Sequence, residues 1–80
     1  MELMFEEIAL GEASRLHGVA LKDSGIRQNY DIIIIAIKKP AGEMVFNPGP
    51  EELLARGDVL IALGNRDQLD KMSTSLNATS

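Results

Sequence analysis

The 80-residue chain contains no cysteine and no tryptophan, and it has only one tyrosine and two phenylalanines. Without cysteine, a disulfide framework, a thiolate metal site and a cysteine nucleophile are all excluded. A chain this short forms one small hydrophobic core, and no covalent cross-link is available to reinforce it. We therefore expect packing, together with association of two copies, to supply its stability.

Basic residues are outnumbered, with 8 Lys and Arg against 12 Asp and Glu and a formal net charge of -4. This balance disfavours nucleic acid and anionic membrane surfaces as partners. No stretch approaches the roughly 20 apolar residues needed to span a bilayer, and the start does not resemble a secretory signal. We expect a cytoplasmic domain that is not inserted into the membrane.

The composition, 45% apolar and 25% charged, is typical of a globular domain. We expect one domain over residues 1–76 and a flexible polar tail over residues 77–80, and the segment would suit a domain excised from a longer chain.

The hydrophobic pattern predicts four strands. A half-exposed strand covers Leu3–Leu10, and the β-branched run DIIIIAIKK over Asp31–Lys39 predicts a strand buried on both faces. Glu43–Phe46 should pair with this run as a hairpin, and Val59–Leu63 should form a second buried strand. One face of the isoleucine run can meet the domain's own helices, whereas the other needs a partner chain or a neighbouring domain.

Helices are predicted between and after the strands. Val19–Ser24 is expected to form a short helix ended by Gly25, and Glu51–Arg56 a helical turn. The final helix begins after Asn65, whose spacing from Gln68 fits a capping box, and its apolar positions follow at helical spacing. The result is an α+β domain with one small sheet and helices packed on one face, in the order strand, helix, strand, strand, turn, strand, helix.

Catalytic chemistry finds little support in the sequence. His17 lies in a glycine-flanked loop without a fixed partner, and we interpret it as an ordinary loop histidine. The carboxylate pairs Glu6–Glu7 and Glu51–Glu52 do not lie in a calcium-binding loop pattern, and solvent exposure explains them better. No glycine-rich phosphate loop is present. A small enzyme is therefore the least favoured function.

Arg27 is the most informative charged residue, because it precedes the buried isoleucine strand in a polar bend. Its guanidinium could bind a phosphate or carboxylate near a dimer seam. Alternatively, it forms a surface ion pair with Asp23 or Asp31.

Several segments together resemble the C-terminal subdomain of the regulator-of-potassium-conductance family, also known as the TrkA C-terminal domain. They match in order and spacing over nearly the whole chain. The matching segments are Gly18–Leu21 leading into Ile26 and Arg27; Ile32–Lys39; Asn47 and Pro48, followed by Pro50; Leu54 with Gly57, Asp58 and Leu60; Gly64; and the closing helix.

The resemblance implies a non-catalytic regulatory module on the cytosolic side of potassium channels, potassium uptake systems or other ion transporters. It also implies a preceding Rossmann-type subdomain, a membrane transport domain in the parent protein or complex, and a homodimer. No resident cofactor is implied, although a small effector, either a nucleotide such as cyclic di-AMP or a divalent cation, is expected near the dimer seam.

The resemblance also assigns site residues. The effector-binding positions are Ile26, Arg27, Ile32, Ile33 and Pro48, and the dimer interface is expected over Ile32, Ile33, Ile34 and Ile35. In relatives that bind cyclic di-AMP, a polar residue stands near the start of the strand, where this chain has Ile32 or Ile33. The loss of that polar contact argues against cyclic di-AMP recognition, because each unmade hydrogen bond to a buried base edge costs about 1 kcal/mol.

Two functions therefore lead. The first is a ligand-sensing regulatory domain of a potassium channel or transporter, and the second is a purely structural dimerisation module without a ligand. A seam packed with isoleucine and lacking any polar pocket would favour the second.

Overall fold

A four-stranded antiparallel sheet forms the centre of the computed structural model, which describes residues 2–77. In the order β1-β4-β2-β3, the sheet contains β1 (Met4–Ala9), β2 (Ile33–Lys38), β3 (Met44–Phe46) and β4 (Val59–Gly64). Two helices, α1 (Ile26–Tyr30) and α2 (Arg66–Leu76), pack on one face. The predicted α+β fold with a single sheet, including the hairpin between β2 and β3, is confirmed.

Helix α2 covers the inner face of the sheet, as its pattern predicts. The side-chain oxygen of Asn65 accepts a hydrogen bond from the backbone N–H of Gln68 at 2.9 Å, which satisfies one of the free donors at the helix start. Leu69, Met72 and Leu76 are completely buried. Burial of these three side chains fixes the helix on the sheet.

A β-bulge in β2 sets which isoleucines face the core. Ile34 pairs with Ala62 of β4, whereas Ala36 pairs with Ile61, so Ile35 is the extra residue on β2. Ile34 lies in the core, whereas Ile33 is 47% exposed and Ile35 is half-buried. Within one chain, the expected burial of this run on both faces is therefore achieved on one face only.

The second face of the sheet has no covering layer within the described chain. The strand register places one set of apolar side chains on it, all exposed or half-buried, and we name it the open face: Phe5, Ile33, Met44, Phe46, Ile61 and Leu63. An apolar face of this kind is typical of an interaction surface.

The prediction of a helix over Val19–Ser24 is wrong. Only a single 3-10 turn, Leu21–Asp23, forms there, and the true helix α1 follows it, so Arg27 lies on a helix rather than in a bend. Gly25 does have the predicted left-handed conformation, with φ of 79°, and it stands between the end of this 3-10 turn and the start of α1. The reason is non-local, because Leu21 donates its backbone N–H to a distant carbonyl, that of Glu52, at 2.8 Å.

The prediction of a helical turn over Glu51–Arg56 is wrong for the same reason. Residues 18–22 and 50–54 form an irregular two-stranded ribbon, in which the backbone N–H of Lys22 donates to Pro50 and that of Gly18 donates to Leu54. A bridge between Ala20 and Leu53 lies between these bonds. Backbone groups engaged across the ribbon are not available for helical hydrogen bonds.

A buried ion pair ties the ribbon to the sheet. Asp58 is fully buried, and its Oδ2 accepts hydrogen bonds from the Lys39 ammonium and from the backbone N–H of Ala55, each at 2.9 Å. Lys39 also donates to the backbone carbonyl of Leu53 at 3.2 Å. The end of β2, the ribbon and the start of β4 therefore meet at one carboxylate.

The end of α2 is anchored to the loop after β1. The Asn77 side chain accepts a hydrogen bond from the backbone N–H of Gly11 at 2.7 Å and donates one to the carbonyl of Ala9 at 3.1 Å. The rest of the tail predicted at 77–80 lies outside the described residues, so its flexibility stays a prediction. Within residues 2–77, none of the helices has the length and apolar character required to cross a membrane.

The buried pair predicts that substitutions at two different lysines change the unfolding free energy by very different amounts. Lys39→Met keeps the apolar stem but leaves the Asp58 carboxylate buried without its cation, and should lower the unfolding free energy by about 2 to 4 kcal/mol. Lys71→Met is the control, because Lys71 is exposed on α2, away from the open face, and forms no ion pair with the described residues. Urea unfolding measures both variants, and equal stabilities would contradict a structural role for the pair.

Candidate functional site

A pocket of about 340 Å³ lies where α1, the start of β2 and the loop after β3 meet. All five predicted effector-binding residues line it, and they are Ile26, Arg27, Ile32, Ile33 and Pro48. The structure therefore brings together residues that are up to 22 positions apart in the sequence (48 minus 26). This juxtaposition identifies the candidate site.

The short helix α1 positions two of these residues. Ile26 is almost completely buried and anchors the first turn, while the next residue, Arg27, is exposed at the pocket. Asp31 ends the helix with φ of 55°, and its backbone N–H donates to the carbonyl of Arg27 at 3.0 Å. This left-handed turn redirects the chain into β2, so that Ile32 and Ile33 form the adjacent wall.

The base of the pocket is apolar. Ile26, Ile32 and Ile34 are buried there. Ile33 also lines the pocket, and it belongs to the open face as well. The pocket and the open face are therefore continuous at this residue.

The charges at the pocket suit an anion. Two cations, Lys22 and Arg27, line it, and its described lining contains no Asp or Glu. Lys22 forms an exposed ion pair with Glu51 at 3.1 Å. Arg27 forms no ion pair with any residue in 2–77, so the alternative pairings with Asp23 and Asp31 are not found. The guanidinium is free to bind a ligand in an otherwise acidic protein.

Sequence reasoning missed several lining residues. Gln28 and Asn47 supply amides, and Lys22 and Pro50 come from the two strands of the ribbon. Gln28 already donates to the backbone carbonyl of Lys22 at 3.3 Å, whereas the Asn47 side chain has no hydrogen bond within the described residues. The ribbon could not be predicted, but Asn47 could have been noticed beside Pro48, in the matched loop.

The four residues of the predicted interface, Ile32–Ile35, differ in how much surface they expose. Ile32 and Ile34 are buried in the chain's own core and leave almost no side-chain surface for a partner, because they point toward the helices. At these two positions burial within one chain does not support an interface role, and that role stays a prediction. Ile33 and Ile35 retain exposed surface, and for them an interface role stays a proposal.

The other candidates from the sequence do not assemble into a site. The imidazole Nδ1 of His17 accepts a hydrogen bond from the backbone N–H of Arg56 at 3.1 Å, which agrees with an ordinary loop histidine. Within residues 2–77, no group of three or more His, Asp or Glu side chains is placed to hold a metal ion.

Comparison with known proteins places this architecture in context. The family model of the TrkA-C domain matches residues 5–77. The K(+)/H(+) antiporter subunit KhtT of Bacillus subtilis (strain 168) is 32% identical over 71 residues, which cover 89% of this chain but 43% of KhtT. This chain therefore spans less than half the length of that relative.

Two solved structures share the fold. The RCK C domain of the potassium transport protein KtrA, in complex with cyclic diadenosine monophosphate (c-di-AMP), has a TM-score of 0.80 and 33% identity, over 91% of this chain and 82% of that one. The RCK_C domain dimer of S. agalactiae BusR, in complex with c-di-AMP, has a TM-score of 0.81 and 25% identity, over 90% and 93% of the two chains.

The left-handed turn at Asp31 predicts that a glycine substitution there and one within α2 change the unfolding free energy in opposite directions. Asp31→Gly should raise the unfolding free energy by about 0.5 kcal/mol, because glycine adopts a positive φ without steric cost. Asp70→Gly, at an exposed position within α2, should lower it by a similar amount, since glycine disfavours the helix. Thermal unfolding measures both variants. Destabilisation by Asp31→Gly would show that the aspartate side chain itself supports the turn.

Proposed function

This chain belongs to the TrkA-C domain family, and from that premise we propose that it is a ligand-sensing regulatory domain of a potassium channel or transporter. It acts on the cytosolic side of the membrane as a homodimer, next to a Rossmann-type subdomain and a membrane transport domain of the parent protein or complex. Its role is regulatory rather than catalytic.

The observation that carries this proposal is the pocket that combines an apolar base with an unpaired guanidinium. Ile33 and Pro48 keep accessible surface for apolar contact above the buried isoleucines of the base, while Arg27 offers a cation that no described side chain neutralises. A purely structural module has no need for such a site, so the pocket favours a ligand over the dimerisation-only alternative. The ligand is a small anion with an apolar or aromatic part.

The solved relatives supply the first candidate for this ligand. The KtrA domain and the BusR dimer were both solved in complex with c-di-AMP. A phosphodiester suits Arg27, and a flat base suits a slot between isoleucine and proline side chains. We therefore propose an anionic adenine nucleotide as the effector, with Ile33 of β2 forming part of its wall. The polar contact that the start of β2 lacks must then come from another lining residue, and Gln28 and Asn47 both supply amides.

A second copy of the chain is the proposed occupant of the open face. Phe5, Met44 and Phe46 are all more than half exposed on it, and burying them in water-free contact would be strongly favourable. The small cysteine-free core independently favours association. Because Ile33 lines both the pocket and the open face, a bound ligand and the partner chain would contact the same side chain.

Regulation follows from this shared wall. If the ligand binds one arrangement of the dimer more tightly than another, binding shifts the population toward that arrangement. The coupling is limited by the difference in affinity between the two arrangements. Connection to the neighbouring domains would then convert the shift into a change in ion transport.

The first test removes the cation. Arg27→Ala should weaken c-di-AMP binding by about 1.5 to 3 kcal/mol, the range for hydrogen bonds to charged groups, while the melting temperature stays nearly unchanged. Isothermal titration calorimetry measures the affinities, and Arg66→Ala is the control, because Arg66 is exposed at the start of α2 and does not line the pocket. Equal affinities for the wild type and Arg27→Ala would remove Arg27 from the site.

The second test places a charge on the open face. Ile33→Asp would bury an unpaired carboxylate in the dimer and should cost several kcal/mol of association free energy. Ala13→Asp, at an exposed loop position after β1, carries the same charge away from the open face and should leave association unchanged. Sedimentation equilibrium at tens of micromolar reports both. A monomeric wild type, or a dimer that tolerates Ile33→Asp, would contradict the proposed interface.

A further inference from the structure

We propose that Asn47 is the specificity-determining residue of the pocket, and that its carboxamide selects an adenine-type edge over a guanine-type edge. This inference rests on the proposed function and deepens it, because it names the group that reads the ligand. It also proposes a substitute for the polar contact that is missing at the start of β2, where this chain has isoleucine.

Asn47 is held in a defined position at the pocket. It follows β3 with φ of 51°, and its backbone N–H donates to the carbonyl of Ile35, the bulged residue of β2, at 2.7 Å. The residue lines the pocket and is exposed. The bulge and the strand end therefore fix the backbone from which this side chain extends.

Two of the other polar side chains around the pocket already form hydrogen bonds or ion pairs within the chain. Gln28 donates its amide to the backbone of Lys22, and the ammonium of Lys22 is paired with Glu51. The free guanidinium of Arg27 suits the anionic part of a ligand. Among the described lining residues, Asn47 is thus the uncharged polar side chain that forms no hydrogen bond, whereas the amide of Gln28 is held on one side by its bond to Lys22.

The chemistry of a carboxamide defines what it can select. It offers one acceptor oxygen and a donor NH₂ group side by side. The N6 and N7 positions of adenine present a donor and an acceptor in matching order, and Asn is a common partner for them. Guanine presents two acceptors, O6 and N7, which leave the carboxamide oxygen facing another acceptor.

A backbone explanation of Asn47 competes with this one. Asn is favoured in the left-handed region irrespective of any ligand, so its presence at φ of 51° could reflect conformation alone. Glycine adopts this conformation equally well but lacks the carboxamide. Asn47→Gly therefore separates the two roles, because it preserves the turn and removes only the reading group.

The experiment titrates wild type, Asn47→Gly and Arg27→Ala with c-di-AMP and with cyclic di-GMP. We expect the wild type to prefer c-di-AMP, and Asn47→Gly to weaken c-di-AMP by about tenfold while cyclic di-GMP changes by less than about twofold. Arg27→Ala should weaken both ligands alike, because it removes a contact to the anion common to both. The melting temperature of Asn47→Gly should match that of the wild type.

The outcomes distinguish this inference from the proposed function. If the wild type binds c-di-AMP and Asn47→Gly binds it equally well, the conformational explanation holds and the Asn47 proposal alone is overturned. If Asn47→Gly weakens both ligands by the same factor, Asn47 contributes affinity without selectivity, and the proposal is again overturned. If the wild type binds neither ligand, the nucleotide effector fails and the Asn47 proposal fails with it.

Discussion

The buried carboxylate of Asp58 is the contact on which the arrangement of the other segments depends. Lys39 at the end of β2 and the backbone of Ala55 both donate to it, and Lys39 also reaches the carbonyl of Leu53. The sheet is thereby joined to the ribbon, which has no helix or regular strand to hold it. The ribbon in turn places Lys22 and Pro50 at the pocket. A charge pair buried in so small a core is costly to disrupt, because removing one partner leaves the other charge unsolvated.

The isoleucine run of β2 contacts both the hydrophobic core and the outer surface of the sheet. The bulge at Ile35 and the pleat of the strand send Ile34 into the core and leave Ile33 at the boundary between the pocket and the open face. In the proposed dimer, the ligand and the partner chain would both contact this residue. Coupling between ligand binding and association then needs no long pathway, since a single wall is shared by the two sites.

The four strands and α2 were predicted well from the sequence, because their signals are local, whereas α1 was missed. The apolar runs over β2 and β4 and the Asn65 cap of α2 each depend on residues within a few positions of one another. Val19–Ser24 and Glu51–Arg56 failed because their backbone groups bond to each other across some 30 residues, and no local pattern reveals this. The five effector positions came from family resemblance, whereas physical reasoning alone singled out only Arg27. Asn47 was missed because its significance depends on which other amides are already engaged.

The central claim is that ligand binding at the pocket and dimer formation are coupled. The most direct measurement is the dimer dissociation constant, determined by sedimentation equilibrium without ligand and with saturating c-di-AMP. A shared wall predicts a change of at least about fivefold, which corresponds to the lower end of allosteric coupling free energies. A dissociation constant that stays the same within about twofold, while calorimetry shows that c-di-AMP binds, would contradict the account.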